Sequence, residues 1–401
     1  MKQLKVRIPR KKMIDILCTL GFILLTVSIF IPQHSLPDEN DSEPKKLQNE
    51  VVQIWGWDDS ITKSFDLFYQ HYPNITLEFI PTKIKNYVEK IKVSLATNNE
   101  IPDICLLEND YRGQLMTLDI WENLESHPYN LNPDKILDYI LPNVTNSKGE
   151  IIAVPYDIAI AGMAYRRSLT KQFFGTDDEK KLHTLFYDWN SIIEKGKELK
   201  SKEEMETFLF ASLADAAVIL LNQTTEPYIL NEKLNHPERF LQSFYILTQL
   251  RDEHLVDTLK QWSPTWYNSF TEERYFFYPC AAWSYIQWFL LSEEGAFFNK
   301  DELSGIFIHY QDVYTNPIYT SMYNECFGQQ DIGHFFFEDI FPSIQVRPIG
   351  KYDRIINDTF LLMSIALIEK PTMTANEAMT IFIHKLQDRI PELEVDLTNF
   401  N

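Results

Sequence analysis

Three short stretches gather side chains that could grip a polar ligand: Trp57-Asp58-Asp59, Glu108-Asn109-Asp110-Tyr111 and Tyr156-Asp157. Carboxylates and amides hydrogen-bond to hydroxyl groups, while indole and phenol faces cover an apolar ring face. A sugar ring offers both kinds of surface, so this chemistry suits carbohydrate recognition. Trp55, Trp262, Trp266 and Trp283 add further rings that could serve. Any one of them could equally be core packing, and Asp58 and Asp59 could be helix N-caps. Trp57 stands out because Gly56 and two aspartates flank it. A glycosidase is the rival chemistry, since it needs two carboxyl groups across a scissile bond. Asp58, Glu108 and Asp157 have the right type, but their spacing imposes no such geometry. The sequence has no nucleophile elbow, no phosphate-cradling glycine loop and no His/Cys cluster at metal spacing. A binding protein without cofactor or metal is therefore expected, rather than an enzyme.

The surrounding residues must hold these groups. Val51–Trp55 reads as a strand that ends in Gly56-Trp57-Asp58-Asp59, with a helix starting at Ser60. Tyr72-Pro73-Asn74 breaks that helix, and Ile75–Ile80 alternates as a second strand. Tyr87–Leu95 reads as a helix and Asp103–Leu107 as a third strand. Strand and helix in alternation predict a doubly wound α/β lobe. Ligands meet such lobes at the carboxyl ends of the strands, near a topological switch point. Ile151–Val154 is a further β-rich run, stopped by Pro155, which has no N–H to donate. Ile158–Tyr165 follows, so Tyr156-Asp157 forms a polar corner where the chain crosses between lobes. An ordinary hairpin in one domain is the alternative. Helices are expected at 192–199, 209–221 and 237–254, then a loop cluster Trp262–Tyr267 and a strand Glu272–Tyr278. An apolar helix Tyr285–Leu291 and tail helices at 331–336, 355–368 and 375–390 complete the reading.

Composition limits the function. The 401 residues exceed one ordinary core, and 45% hydrophobic content marks a globular chain. The net charge of −20 would repel nucleic acid and anionic lipid, which excludes both as partners. Lys2, Lys5, Arg7, Arg10, Lys11 and Lys12 precede the uncharged apolar run Ile16–Ile31, the pattern of a signal or membrane anchor. No good cleavage site follows, so an uncleaved anchor is expected, with the body outside the cytoplasm. Cys18, Cys105, Cys280 and Cys326 do not form a disulfide framework.

Several stretches in order resemble one family. VVQIWGWDD, YPNITLEFIPTKIKNYVEKI, IPDICLLENDYRGQLMTLDIWENL, GEIIAVPYDIAIAGMAYRRSL, DWNSIIEKGKEL and ANEAMTIFIHKLQDRI are similar to segments of extracellular solute-binding proteins of family 1. These are the sugar-binding receptors of ABC importers. The resemblance implies an α/β, two-lobed, periplasmic-binding-protein-like (type II) fold with a hinge. It also implies a function: binding a sugar or oligosaccharide and delivering it to ABC permease subunits. On this sequence, Trp57, Asp58, Asp59, Glu108, Asp110, Tyr111, Tyr156 and Asp157 would line the cleft. Trp283 would match an aromatic after a late strand.

The implied division is 1–31 signal or anchor, 32–50 linker and 51–157 first lobe, which the chain re-enters near 284–310. Residues 158–283 would form the second lobe, and 311–401 a helical part completing both. A monomer is expected. The family's glycine-rich return segment is not visible; Phe276–Trp283 is the remaining candidate for a second crossing, followed by a helix laid on the first lobe. A glycoside-active enzyme using the cleft carboxylates, or a degenerate membrane-anchored sensor, are the alternatives.

Overall fold

Val52 and Ile54 alternate along the first strand and are both fully buried, which seats that strand at the centre of its sheet. The computed structural model describes residues 50–155 (except 98, 100 and 137), 161–201, 206–281 and 347–396, with isolated positions between 323 and 344. The expectations for residues 1–49, Tyr156, Asp157, Trp283, the helix at 285–291, the re-entry near 284–310 and most of the helix at 331–336 lie outside the described residues. Among the described residues no helix is long and apolar enough to cross a membrane. The chain divides into two compact units, Met1–Pro155 and Tyr156–Asn401.

In the first unit β1 (Glu50–Gly56) leads through α1 (Phe65–His71) to β2 (Ile75–Pro81). Then α2 (Ile84–Ala96) leads to β3 (Ile104–Cys105), and α3 (Asn109–Leu115) follows. Both β2 and β3 pair with β1 in parallel, giving the order β2-β1-β3. The register sets Trp55 against Ile80 on one side and Cys105 on the other. Helix α2 buries Tyr87, Val88 and Ile91, one face at helical spacing.

Two local expectations change. The helix expected from Ser60 opens as a 3-10 turn over Asp59–Ser64, where the Thr62 hydroxyl donates to the Asp59 carbonyl (2.7 Å). That side-chain bond offers the backbone a tighter alternative to an α-turn. Ile151–Val154 is not a strand. Ile151 makes a single antiparallel bridge to Thr145, across a turn in which Gly149 takes φ +81°. Pairing stops there as the chain runs on towards Pro155.

The second unit begins with β4 (Ala161–Tyr165), α4 (Arg167–Phe174), α5 (Glu179–Leu185) and α6 (Trp189–Lys200). Gly175 ends α4 at φ +71°, the left-handed cap that glycine adopts freely. The helix expected over 209–221 divides: Phe208–Phe210 is a strand, β5, and α7 runs over Leu213–Asn222. Ser212 and Asp215 form a capping box that starts α7 late. A tight hairpin, β6 (Ile229–Leu230) and β7 (Lys233–Leu234), then precedes α8 (Pro237–Asp252). The loop cluster at 262–267 proves partly helical, as α9 (Pro264–Ser269), with Pro264 in its first turn. Strand β8 (Tyr275–Ala281) follows, and α10 (Asp353–Glu369) and α11 (Ala375–Arg389) close the unit.

The sheet order is β4-β8-β5, antiparallel then parallel. Tyr275, Phe276, Phe277 and Tyr278 are all buried, as a central strand covered on both faces requires. Behind it α7, α8, α10 and α11 share one core. There Phe244 stacks on Phe360 (centroids 4.9 Å) and Phe240 meets Phe382 (5.0 Å). The Arg251 guanidinium donates to the carbonyls of Leu367 (3.3 Å) and Met373 (2.9 Å), tying α8 to the turn after α10.

Candidate ligand-binding site

The order β2-β1-β3 leaves a switch point beside β1, where the chain has gone to one side and then to the other. The carboxyl ends of β1 and β3 meet there, the usual place for a ligand in an open parallel sheet. Two of the predicted stretches sit at these ends. The Trp55 carbonyl accepts the Leu106 N–H (2.9 Å) and the Tyr87 hydroxyl (2.7 Å), which fixes the end of β1 against β3 and α2. The Gly56 carbonyl accepts the Thr82 N–H at 2.7 Å. A Cβ on Gly56 would meet Leu106 Cδ1 at 2.5 Å and Phe79 Cε2 at 2.9 Å, so a side chain here would have to push those two aside.

Trp57 follows directly. It is half-buried and meets Tyr87 edge to face, centroids 5.9 Å apart and planes at 89°. Asp58 and Asp59 are exposed beside it. Beyond β3, Glu108 is half-buried, and its carbonyl accepts the N–H groups of Tyr111 (3.1 Å) and Arg112 (2.9 Å) at the start of α3. Burial lowers the Arg112 pKa, and the neighbouring Glu108 opposes that shift. Asp110 lies in the first turn of α3.

Some rings do not meet expectation. Trp55 and Tyr111 are each 6% exposed and pack with Tyr87, Val88, Ile91 and Leu115. Helix α3 turns Tyr111 and Leu115, four residues apart, onto the same inward face, so the Tyr111 ring is a packing element and not an open platform. Trp266 is likewise buried, at 1%, whereas Trp262 stays 47% exposed. Tyr156, Asp157 and Trp283 lie outside the described residues.

Sequence reading missed two supports. Lys90 Nζ lies 3.6 Å over the centroid of Trp55 and donates to Thr82 Oγ1 at 2.9 Å. Burial lowers its pKa, and Cys105 pulls the other way. The available signal was Tyr87 and Lys90 at i, i+3 on a helix that returns to the end of β1. Cys105 is a free, half-buried thiol whose pKa burial pushes up to about 12. Among the described residues no group of three His, Cys, Asp or Glu side chains could hold a metal ion. The corner offers a rigid backbone, a supported indole and carboxylates beside it, a set that can bind and orient a hydroxylated ring.

No protein-family model matches the chain. The lactose-binding protein of Rhizobium radiobacter is 25% identical over 196 residues, which is 45% of this chain and 43% of that protein. The matched stretch is thus less than half of the curated relative. Among solved structures, an extracellular solute-binding protein of family 1 aligns over 84% of this chain and 99% of its own, with TM-score 0.71 and 17% identity. The galacto-N-biose/lacto-N-biose I-binding protein of the Bifidobacterium longum ABC transporter aligns over 87% and 99%, with TM-score 0.66 and 11% identity. The sugar-binding protein MalE of Xanthomonas citri aligns over 85% and 98%, with TM-score 0.64 and 12% identity.

Proposed function

From the two-lobed, periplasmic-binding-protein-like α/β fold that the chain shares with these solute-binding proteins, we propose that it is an extracytoplasmic sugar or oligosaccharide receptor. It hands its ligand to the membrane subunits of an ABC importer and performs no chemistry on it. The observation that carries this reading is the corner after β1. There Trp57, backed by Tyr87, stands beside Asp58 and Asp59 at a strand end held by backbone hydrogen bonds.

In this reading the Trp57 ring covers the C–H face of a pyranose, and Asp58, Asp59, Glu108 and Asp110 take its hydroxyls. Tyr111 supports the corner from within the core. The ligand classes in the names of the relatives, lactose, lacto-N-biose and the MalE sugars, support a carbohydrate over other polar solutes. The charged segment Lys2–Lys12 and the apolar run to Ile31 tether the protein, as a monomer, to the outer face of the cell membrane.

The test is calorimetric titration of the full chain in detergent with a panel of mono- and oligosaccharides, followed by product analysis. Reversible binding without turnover is expected. Absence of binding across the panel overturns the reading. Glycan hydrolysis that Asp157→Asn abolishes would make the protein a glycosidase.

A further inference from the structure

Among the described residues β2 has one neighbouring strand, β1, so its other edge faces outwards. An unpaired edge presents a row of backbone N–H and C=O groups on which another chain can add a strand. The phase of this edge follows from its end. The Thr82 N–H donates to the Gly56 carbonyl at 2.7 Å, so the even-numbered residues turn their backbone groups towards β1. Ile75, Leu77, Phe79 and Pro81 therefore turn theirs outwards.

Three of these four positions are closed. The Ile75 N–H donates to the Tyr72 carbonyl at 3.2 Å, within the turn that precedes the strand. Pro81 has no N–H to offer. At Leu77, in the middle, a side chain makes the closure. The Leu77 N–H donates to the Tyr69 hydroxyl at 3.2 Å, and that hydroxyl donates back to the Leu77 carbonyl at 3.3 Å. Two antiparallel strands exchange the same pair of bonds wherever two residues face each other in hydrogen-bonded register. Tyr69 Oη thus stands where a residue of an added strand would stand. The buried rings of Phe65 and Phe68 hold it there from within α1, with centroids 6.4 and 6.1 Å from the Tyr69 ring. A bare ring would satisfy that packing; the hydroxyl serves the edge.

We infer that the outer edge of β2 is a latent pairing surface for a second copy of this chain, and that the Tyr69 hydroxyl keeps it shut. A second copy fits because a two-fold axis through Leu77 sets the seven-residue strand antiparallel to itself, so one surface supplies both halves of the contact. In that register Thr76 faces the partner's Glu78, and the two exposed carboxylates do not oppose each other. The inference stands apart from the receptor reading, since it needs no ligand.

The experiment compares the full chain, wild type and Tyr69→Phe, by sedimentation equilibrium in density-matched detergent, with amide exchange at Leu77 and a thermal melt. Tyr69→Phe is expected to exchange the Leu77 amide about tenfold faster when dilute. It should self-associate as concentration rises, with the melting temperature little changed. Adding Thr76→Glu, which sets a second carboxylate opposite the partner's Glu78, should return the variant to the wild-type mass. Adding Val93→Glu instead, the same charge at an exposed position of α2, should not. A Tyr69→Phe protein that keeps the wild-type mass at every concentration overturns the inference. So does association that both added carboxylates disperse alike, or that neither disperses, because the contact then lies elsewhere. Association with a marked fall in melting temperature is aggregation of an unfolded unit and overturns it as well.

Discussion

The Asp215 carboxylate accepts hydrogen bonds from Trp266, Gln261 and the Ser212 backbone, yet burial is the stronger influence and pushes its pKa from 3.8 up to about 7. The folded group thus holds its proton at pH values where the unfolded chain has released it. Between about pH 4 and 7 the folded state binds more protons, so its stability falls as pH rises through that window and levels off above it. At about 1.4 kcal/mol per pKa unit, the slope from this group integrates to about 4 kcal/mol at most. Urea melts at pH 5 and pH 7.5 are expected to show wild type losing stability relative to Asp215→Asn, whose side chain does not titrate; parallel curves would refute the assignment. Trp57 and Trp55 make a second contrast. Trp57→Ala is expected to weaken sugar binding by about 1–3 kcal/mol with little change in melting. Trp55→Ala removes a buried core ring and should destabilise the first unit by about 3–5 kcal/mol. Titration and melting of the two variants side by side would reveal an exchange of these roles.

Strand β1 ends on a residue without a side chain, packed closely under Leu106 and Phe79. Gly56→Ala would press a methyl group against Leu106 and Phe79, and overpacking of that kind costs about 1–3 kcal/mol. Denaturant unfolding should register the loss. The same corner was readable from sequence, since an apolar alternating run that stops at Gly-Trp-Asp-Asp marks both a strand and its end. The parallel arrangement around β1 was readable too, from strands separated by helical spacing. Phe208-Leu209-Phe210 was not, because a short apolar run suits strand and helix alike; the Ser212–Asp215 capping box was the overlooked cue. The burial of Tyr111 was hidden for a related reason. Tyrosine serves core and binding surface equally, and only the phase of α3 after the two-residue β3 decides which way it faces. Ile151 pairs with Thr145 across a turn, a partner that periodicity within the 151–154 run cannot reveal.

The chain as a whole carries a net charge of −20, and self-repulsion of that size opposes compaction. Salt shortens the reach of such repulsion to about 8 Å at physiological strength. The melting temperature is therefore expected to rise between low and physiological salt; a fall would mean that local ion pairs outweigh the net charge. Following such changes needs no attached dye. The indoles of Trp262 and Trp266 lie 5.0 Å apart with their planes inclined at 53°. Two identical chromophores so close and so inclined share their electronic excitation and produce a paired positive and negative band in circular dichroism. Trp262→Phe should erase that couplet, and whatever settles on the exposed indole should shift it, so the protein is built with its own optical gauge.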